Sequence, residues 1–193
     1  SSNAPKASLN SVVDSHALQA GDIVFVDTGD YTLSGNISFG LGDSGDSSNS
    51  LFIVGSTNAG GTRLNRASTS PGSYALDSDD GDYLTFRDIT IRNANQAAKI
   101  VGGIGILFER CILEDSVQGM FSAGTSEVEF RNSIIQNNSQ AGLQAEQSST
   151  IRILNSVLYN NSGSGLRFKG SALGFLSNSV VVADGLNNFC YQP

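Results

Sequence analysis

Residues 128–146 read VEFRNSIIQNNSQAGLQAE and residues 151–169 read IRILNSVLYNNSGSGLRFK. The second segment repeats the first, apolar position for apolar position and Asn for Asn, at a displacement of 23 residues. Extended from Tyr83 to Gln192, the comparison yields three apolar columns. Phe86, Phe108, Phe130, Ile153 and Leu176 form one, at steps of 22, 22, 23 and 23. Ile91, Leu113, Ile135, Leu158 and Val181 form another, and Ala98, Met120, Leu143, Leu166 and Phe189 the last. Three columns in register over five copies mark a solenoid.

Within residues 127–146, Val128 and Phe130 alternate with Glu129 and Arg131, and Leu143 and Ala145 with Gln144 and Glu146. Such alternation is a strand signal, and no window carries the 3.6-residue spacing of a helix. Each copy therefore holds three short strands. Asn132-Ser133 and Asn155-Ser156 mark one bend, Asn137-Asn138-Ser139 and Asn160-Asn161-Ser162 a second, and Ser148-Ser149 a third. Asn suits these places because it tolerates the left-handed conformation and bonds its own backbone. A leucine-rich repeat has a similar period, but its L-x-x-L-x-L signature is absent.

These units resemble the x-I-x-x-N-x-I-x-N-N-x-x-x-G-I repeats of the right-handed parallel β-helix in the pectin-lyase-like superfamily. Residues 17–33, ALQAGDIVFVDTGDYTL, are similar to the segment that opens many of those folds. The resemblance implies an all-β, right-handed parallel β-helix with three-strand coils of 22–23 residues. It does not imply one function, because lyases, hydrolases, epimerases, tailspikes and adhesins share the architecture.

With 193 residues, of which 39% are hydrophobic, one domain and one core are expected. Eleven Lys and Arg against 18 Asp and Glu give a net charge of -7, which argues against nucleic acid or an anionic membrane surface as partner. No apolar run is long enough to span a membrane. Cys111 and Cys190 fall in different columns, so a stacked disulfide is not expected.

Residues 1–20 are expected to form a polar tail, Ser1 to Ala7, and a short capping helix, and residues 21–193 the β-helix. Ser8 is the predicted N-cap, with Leu9, Val12, Val13 and His16 following at helical spacing. That helix would plug the open end of the first coil, where core and strand edges would otherwise be exposed. His16 is the chain's one histidine and reads as a packing or surface residue. Residues 40–50 and 65–73 read as loops. Gly42-Asp43-Ser44-Gly45 matches a protease nucleophile motif in part, but Asp46 breaks it. The chain stops at Pro193 without a cap, which predicts more coils, a longer polypeptide or a neighbouring subunit at that end.

The period also predicts what faces outward. If Leu76, Ala98, Met120, Leu143, Leu166 and Phe189 point inward, then Asp77, Lys99, Phe121, Gln144, Arg167 and Cys190 line the outside. Two residues on lies a neighbouring line, Asp79, Val101, Ala123, Glu146 and Lys169. At about 4.8 Å per coil these lines make a strip roughly 25 Å long. In enzymes that the chain resembles, the equivalent face is the substrate groove. Phe121, Gln144, Glu146, Arg167 and Lys169 are therefore the candidate glycan-binding residues, with Phe121 placed to stack on a sugar ring. The plainer reading makes them exposed residues and Glu146 with Lys169 a surface ion pair.

An elimination at a uronate would need a base, for which Lys99 and Arg167 are the candidates, and a cation to hold developing charge. Asp77, Asp79 and Asp80 in DSDDGD are the candidate Ca²⁺ ligands, although Gly81 stands where a calcium loop wants an acid. A solvated acidic turn is the competing reading, and no other cofactor is implied. The hydrolase motifs of the superfamily are missing around Asp79-Asp80. Two functions follow: a non-catalytic extracellular or cell-surface module with a carbohydrate-binding face, or a polysaccharide lyase or epimerase acting on acidic glycans.

Overall fold

A computed structural model describes residues 8–182, and residues 189–192 by backbone alone. From Leu84 to Gly170 each coil turns at three corners, and each corner pivots on a residue in the left-handed region. Asp88, Arg110, Asn132, Asn155 and Asn178 occupy the first corner with φ of 57°, 52°, 51°, 49° and 47°. Asn93, Asp115, Asn137 and Asn160 occupy the second, with φ between 51° and 57°. Asp80, Gly102, Gly124, Gln147 and Gly170 occupy the third, so its pivot is Gln147, one residue before the expected Ser148-Ser149.

Asn and Asp adopt this conformation at little cost, whereas Arg110 needs compensation. Its guanidinium donates Nε and Nη2 to the two carboxylate oxygens of Asp88 at 2.7 and 2.8 Å. Farther along the same corner Asn178 donates Nδ2 to Asn155 Oδ1 at 2.7 Å. The asparagine ladder is thus continued by an ion pair where its residue type changes.

Between corners lie three parallel sheets of seven strands each. The first stacks Ile23–Phe25, Leu51–Val54, Leu84–Arg87, Ile106–Glu109, Glu127–Arg131, Thr150–Leu154 and Leu173–Ser177. The second stacks Gly29–Thr32, Thr62–Ser68, Ile89–Ala94, Ile112–Glu114, Ile134–Gln136, Val157–Tyr159 and Val180–Val181. The third stacks Ile37–Phe39, Tyr74–Asp79, Gln96–Val101, Gln118–Ala123, Ala141–Ala145, Ser164–Lys169 and Phe189–Gln192.

The three apolar columns are in register as the period requires. Phe86 pairs with Phe108, Phe108 with Phe130, Phe130 with Ile153 and Ile153 with Leu176. The three rings are fully buried and stack with centroids 5.0 and 4.9 Å apart and planes 18° and 10° from parallel. Leu113 and Ile135 share one register line, and Met120, Leu143 and Leu166 share another, all buried.

Polar columns also run through the interior. Ser133 Oγ accepts from Cys111 N at 3.1 Å, Ser156 Oγ from Ser133 N at 3.0 Å and Ser179 Oγ from Ser156 N at 3.1 Å. Cys111 takes the same place with a thiol that burial pushes up to about 12, which leaves it inert. Beside the second corner, buried Asn161 accepts at Oδ1 from Asn138 N at 3.2 Å and Asn138 Nδ2 at 2.9 Å, and donates to Ile135 O at 3.0 Å. Every such bond ties one coil to the next.

The helix spans Leu9–Ser15, and Ser8 Oγ accepts from Ser11 N at its N-cap. Leu9 and Val13 bury into the core against Ile37–Phe39, so the helix covers the first coil. His16 follows as the C-cap and is exposed. One expectation needs correcting. The strand Thr62–Ser68 runs into the stretch read as a loop from Asn65, through a register shift between Asn65 and Ser68. Ala67, at φ 53°, donates its N to Asn65 Oδ1 there, so the irregularity is a bulge and not a loop. In the first strand Ile23 and Phe25 face out and are 53% and 76% exposed. The tail Ser1 to Ala7, the Cys190 side chain and the chain end at Pro193 lie outside the described residues.

Phe108→Ala would leave a hole between two stacked rings and cost about 3–5 kcal/mol, read from the chemical denaturation midpoint. Asn161→Ala strips the acceptor from both Asn138 donors and should cost about 1–3 kcal/mol by the same measurement, although it removes little apolar volume.

Candidate functional site

The outer face of the third sheet brings the predicted strip together. Asp77 pairs in register with Lys99, Lys99 with Phe121, Phe121 with Gln144 and Gln144 with Arg167. Asp79, Val101 and Ala123 continue the neighbouring line, and Lys169 Nζ meets Glu146 Oε1 at 2.9 Å farther along it.

A third line completes the face and was missed in the sequence: Tyr74, Gln96 and Gln118. Two consecutive residues are buried in each coil just after it, Ala75-Leu76, Ala97-Ala98 and Gly119-Met120. Strict alternation counted back from Ala98 would turn Ala97 outward and Gln96 inward. The break in alternation, legible as a repeated small-apolar pair, was the available signal.

The missed glutamines organise the face. Gln96 Nε2 donates to Gln118 Oε1 at 2.8 Å, Gln118 Nε2 to Gln144 Oε1 at 2.8 Å and Gln144 Nε2 to Glu146 Oε1 at 2.6 Å. The chain of amides ends on the carboxylate that Lys169 holds. Gln144 is consequently 5% exposed, not the open polar residue that an outward position suggests. It works as a positioning group for Glu146 more than as a surface that a ligand would touch. Gln96 Oε1 is a buried acceptor without a partner among the described residues.

The hydrogen bond from Lys169 lowers the Glu146 pKa below the usual glutamate range, against the opposing effect of burial and with help from Gln144 and the charge of Arg167. A lowered carboxylate stabilises the fold above the unfolded-state pKa, and that contribution is lost as pH falls through the lowered value. At the other end, Lys99 Nζ donates to Asp77 Oδ1 at 2.9 Å and stands 5.1 Å from the centre of the Tyr74 ring. Burial works against the Lys99 charge, but the hydrogen bond and charge of Asp77 outweigh it and hold the ammonium above the ordinary lysine value. Lys99 is therefore a cation at neutral pH. Three strand steps, about 14 Å, separate Lys99 from Arg167, too far for both to serve one scissile bond.

The side chains of the acidic segment are spread over different places. Asp77 is committed to Lys99, Asp79 is exposed on the outer line, and Asp80 is the left-handed pivot of a corner at φ 59°. Asp82 Oδ1 accepts from Ile104 N at 2.8 Å. Among the described residues no three Asp, Glu, His or Cys side chains are placed to hold one ion. Ser44 of the protease-like motif accepts from Asp82 N at 3.0 Å and pins its loop to the next coil. No helix among the described residues is long and apolar enough to cross a membrane.

The family model described as "Right handed beta helix region" matches residues 14–181. Curated proteins compared by sequence give no match. A solved structure described as pectate lyase Pel9A superposes with a TM-score of 0.69 at 18% identity, over 89% of this chain and 47% of the other. The chain thus spans about half the length of that enzyme. An alginate lyase from Paenibacillus sp. str. FPU-7 gives a TM-score of 0.43 at 12% identity, over 96% of this chain and 95% of the other.

Lys169→Ala should return the Glu146 pKa toward the ordinary glutamate value. A carboxyl-carbon NMR titration reads this directly, and an unmoved midpoint would show that Lys169 does not hold the charge.

Proposed function

The chain belongs to the right-handed β-helix family, and from that premise we propose that the outer face of its third sheet is a carbohydrate-binding surface of an extracellular or cell-surface protein. The observation that carries this reading is the unbroken register line Asp77, Lys99, Phe121, Gln144 and Arg167. It places a half-buried aromatic ring between two cations on one flat face. Phe121 offers an apolar plane to a sugar ring, and Arg167 and Lys169 offer donors to hydroxyls or a carboxylate beside it. The ligand class is a linear glycan lying across the coils. On this reading the module does no chemistry, because Asp77 holds Lys99 in its charged form.

A second reading is a lyase or epimerase acting on acidic glycans, favoured by the fold likeness to a pectate lyase. In a lyase step Lys99 would take the proton beside the uronate carboxylate, a double bond would form in the ring as the bond to the leaving sugar oxygen breaks, and that oxygen would take a proton from water. Arg167 would neutralise a carboxylate and not act as base. The raised Lys99 pKa then requires activity that grows with pH into the alkaline range, because only the neutral amine accepts a proton.

The two readings separate in one experiment on alginate, pectate and chondroitin sulfate, with calorimetry for binding and ultraviolet absorbance for the unsaturated product. The module reading expects binding without product, weakened roughly tenfold in Phe121→Ala. Product that disappears in Lys99→Ala establishes the lyase, and undiminished binding by Phe121→Ala removes the proposed face.

A further inference from the structure

The outer face of the first sheet holds a cleft of about 230 Å³, distinct from the strip on the third sheet. Its floor is one register line, Thr85, Leu107, Glu129 and Arg152. Gly105, on the line beside it, also borders the cleft. That glycine sits at φ 67°, where a Cβ would come within 2.5 Å of the Tyr83 ring. The cleft crosses four coils, three strand steps or about 14 Å.

Its chemistry is mixed and balanced. Glu129 is ion-paired with Arg131 on the same strand. Arg152 lies 4.6 Å over the Phe175 ring, and that ring is 48% exposed. The Glu127 side chain is exposed and makes no hydrogen bond or ion pair among the described residues. Thr85 and Thr150 add hydroxyls, and Leu107 an apolar patch in the floor. Two carboxylates face two guanidiniums, so the cleft draws in neither a polyanion nor a polycation. What remains is recognition by paired donors and acceptors beside an apolar and an aromatic surface. A carboxylate accepts from two vicinal hydroxyls and a guanidinium donates to two oxygens, which is the pattern of a sugar diol.

We propose that this cleft is a second ligand site, and that its ligand is a neutral oligosaccharide held by Glu127, Arg152 and the Phe175 ring over the Leu107 floor. The proposal stands whether or not the third sheet binds anything. If both faces are occupied by one polysaccharide, the second contact becomes intramolecular and raises avidity.

The test uses the whole chain and three neutral probes, cellohexaose, xylohexaose and mannohexaose, with backbone amide NMR shifts and calorimetry. At least one probe is expected to shift the amides of Leu107, Glu129, Thr150 and Arg152. Arg152→Ala and Glu127→Gln should each weaken that binding at least tenfold while thermal melting stays unchanged, since both side chains are exposed. Phe121→Ala should leave it untouched, which separates this site from the third-sheet face. The proposal is overturned if no probe shifts these amides, if the shifts fall on the third sheet, or if both cleft variants bind as the parent does.

Discussion

From Leu84 onward each coil must close on itself in 22 or 23 residues and still present its backbone donors and acceptors to the coil above and the coil below. Three left-handed corners achieve this, and the remainder of the structure follows from where they fall. A corner that pivots on one residue leaves no slack, so the three strands of each coil have fixed length and the next coil can only stack in register. The residue types tolerated at the corners are then few. Asn and Asp dominate, Gly serves the third corner, and Arg110 is admitted where Asp88 grips it with two hydrogen bonds.

Register converts a one-dimensional repeat into continuous lines, inside and out. Inside, identical positions stack into aromatic, serine and asparagine columns, and the polar columns are satisfied between coils, so little is lost by burying them. Outside, the same lines become surfaces whose chemistry varies from coil to coil. The solenoid separates the two tasks. The interior accepts only what stacks on its neighbours, while an outer position can carry Lys99 in one coil and Phe121 in the next.

On the third sheet that freedom has been used to build an ordered polar face. A chain of glutamines delivers a hydrogen bond to Glu146, Lys169 neutralises it, and Asp77 answers Lys99 at the far end. Asp77 keeps the Lys99 ammonium charged near neutral pH. The first sheet differs in kind. Its pairs, Glu129 with Arg131 and Arg152 with Phe175, compensate charge locally and leave a recess with no net sign. Two faces of one chain thus present two different chemistries along the same axis.

The sequence alone determined the architecture, the three inward columns, the capping helix and the membership of the strip from Asp77 to Arg167, because a period of 22 or 23 recurs in the coils from Leu84 onward and adds its signal five times over. It did not reveal the third outer line, since the paired buried residues at Ala97-Ala98 and Gly119-Met120 break the alternation used to count outward positions. Nor did it reveal that Gln144 is covered, that Arg131 turns to Glu129, or that Asp80 is a corner pivot. Those outcomes depend on which side chains meet across coils and on a single φ angle. A repeat states which residues are stacked, but only the folded chain decides which way each long polar side chain reaches from its place in the stack.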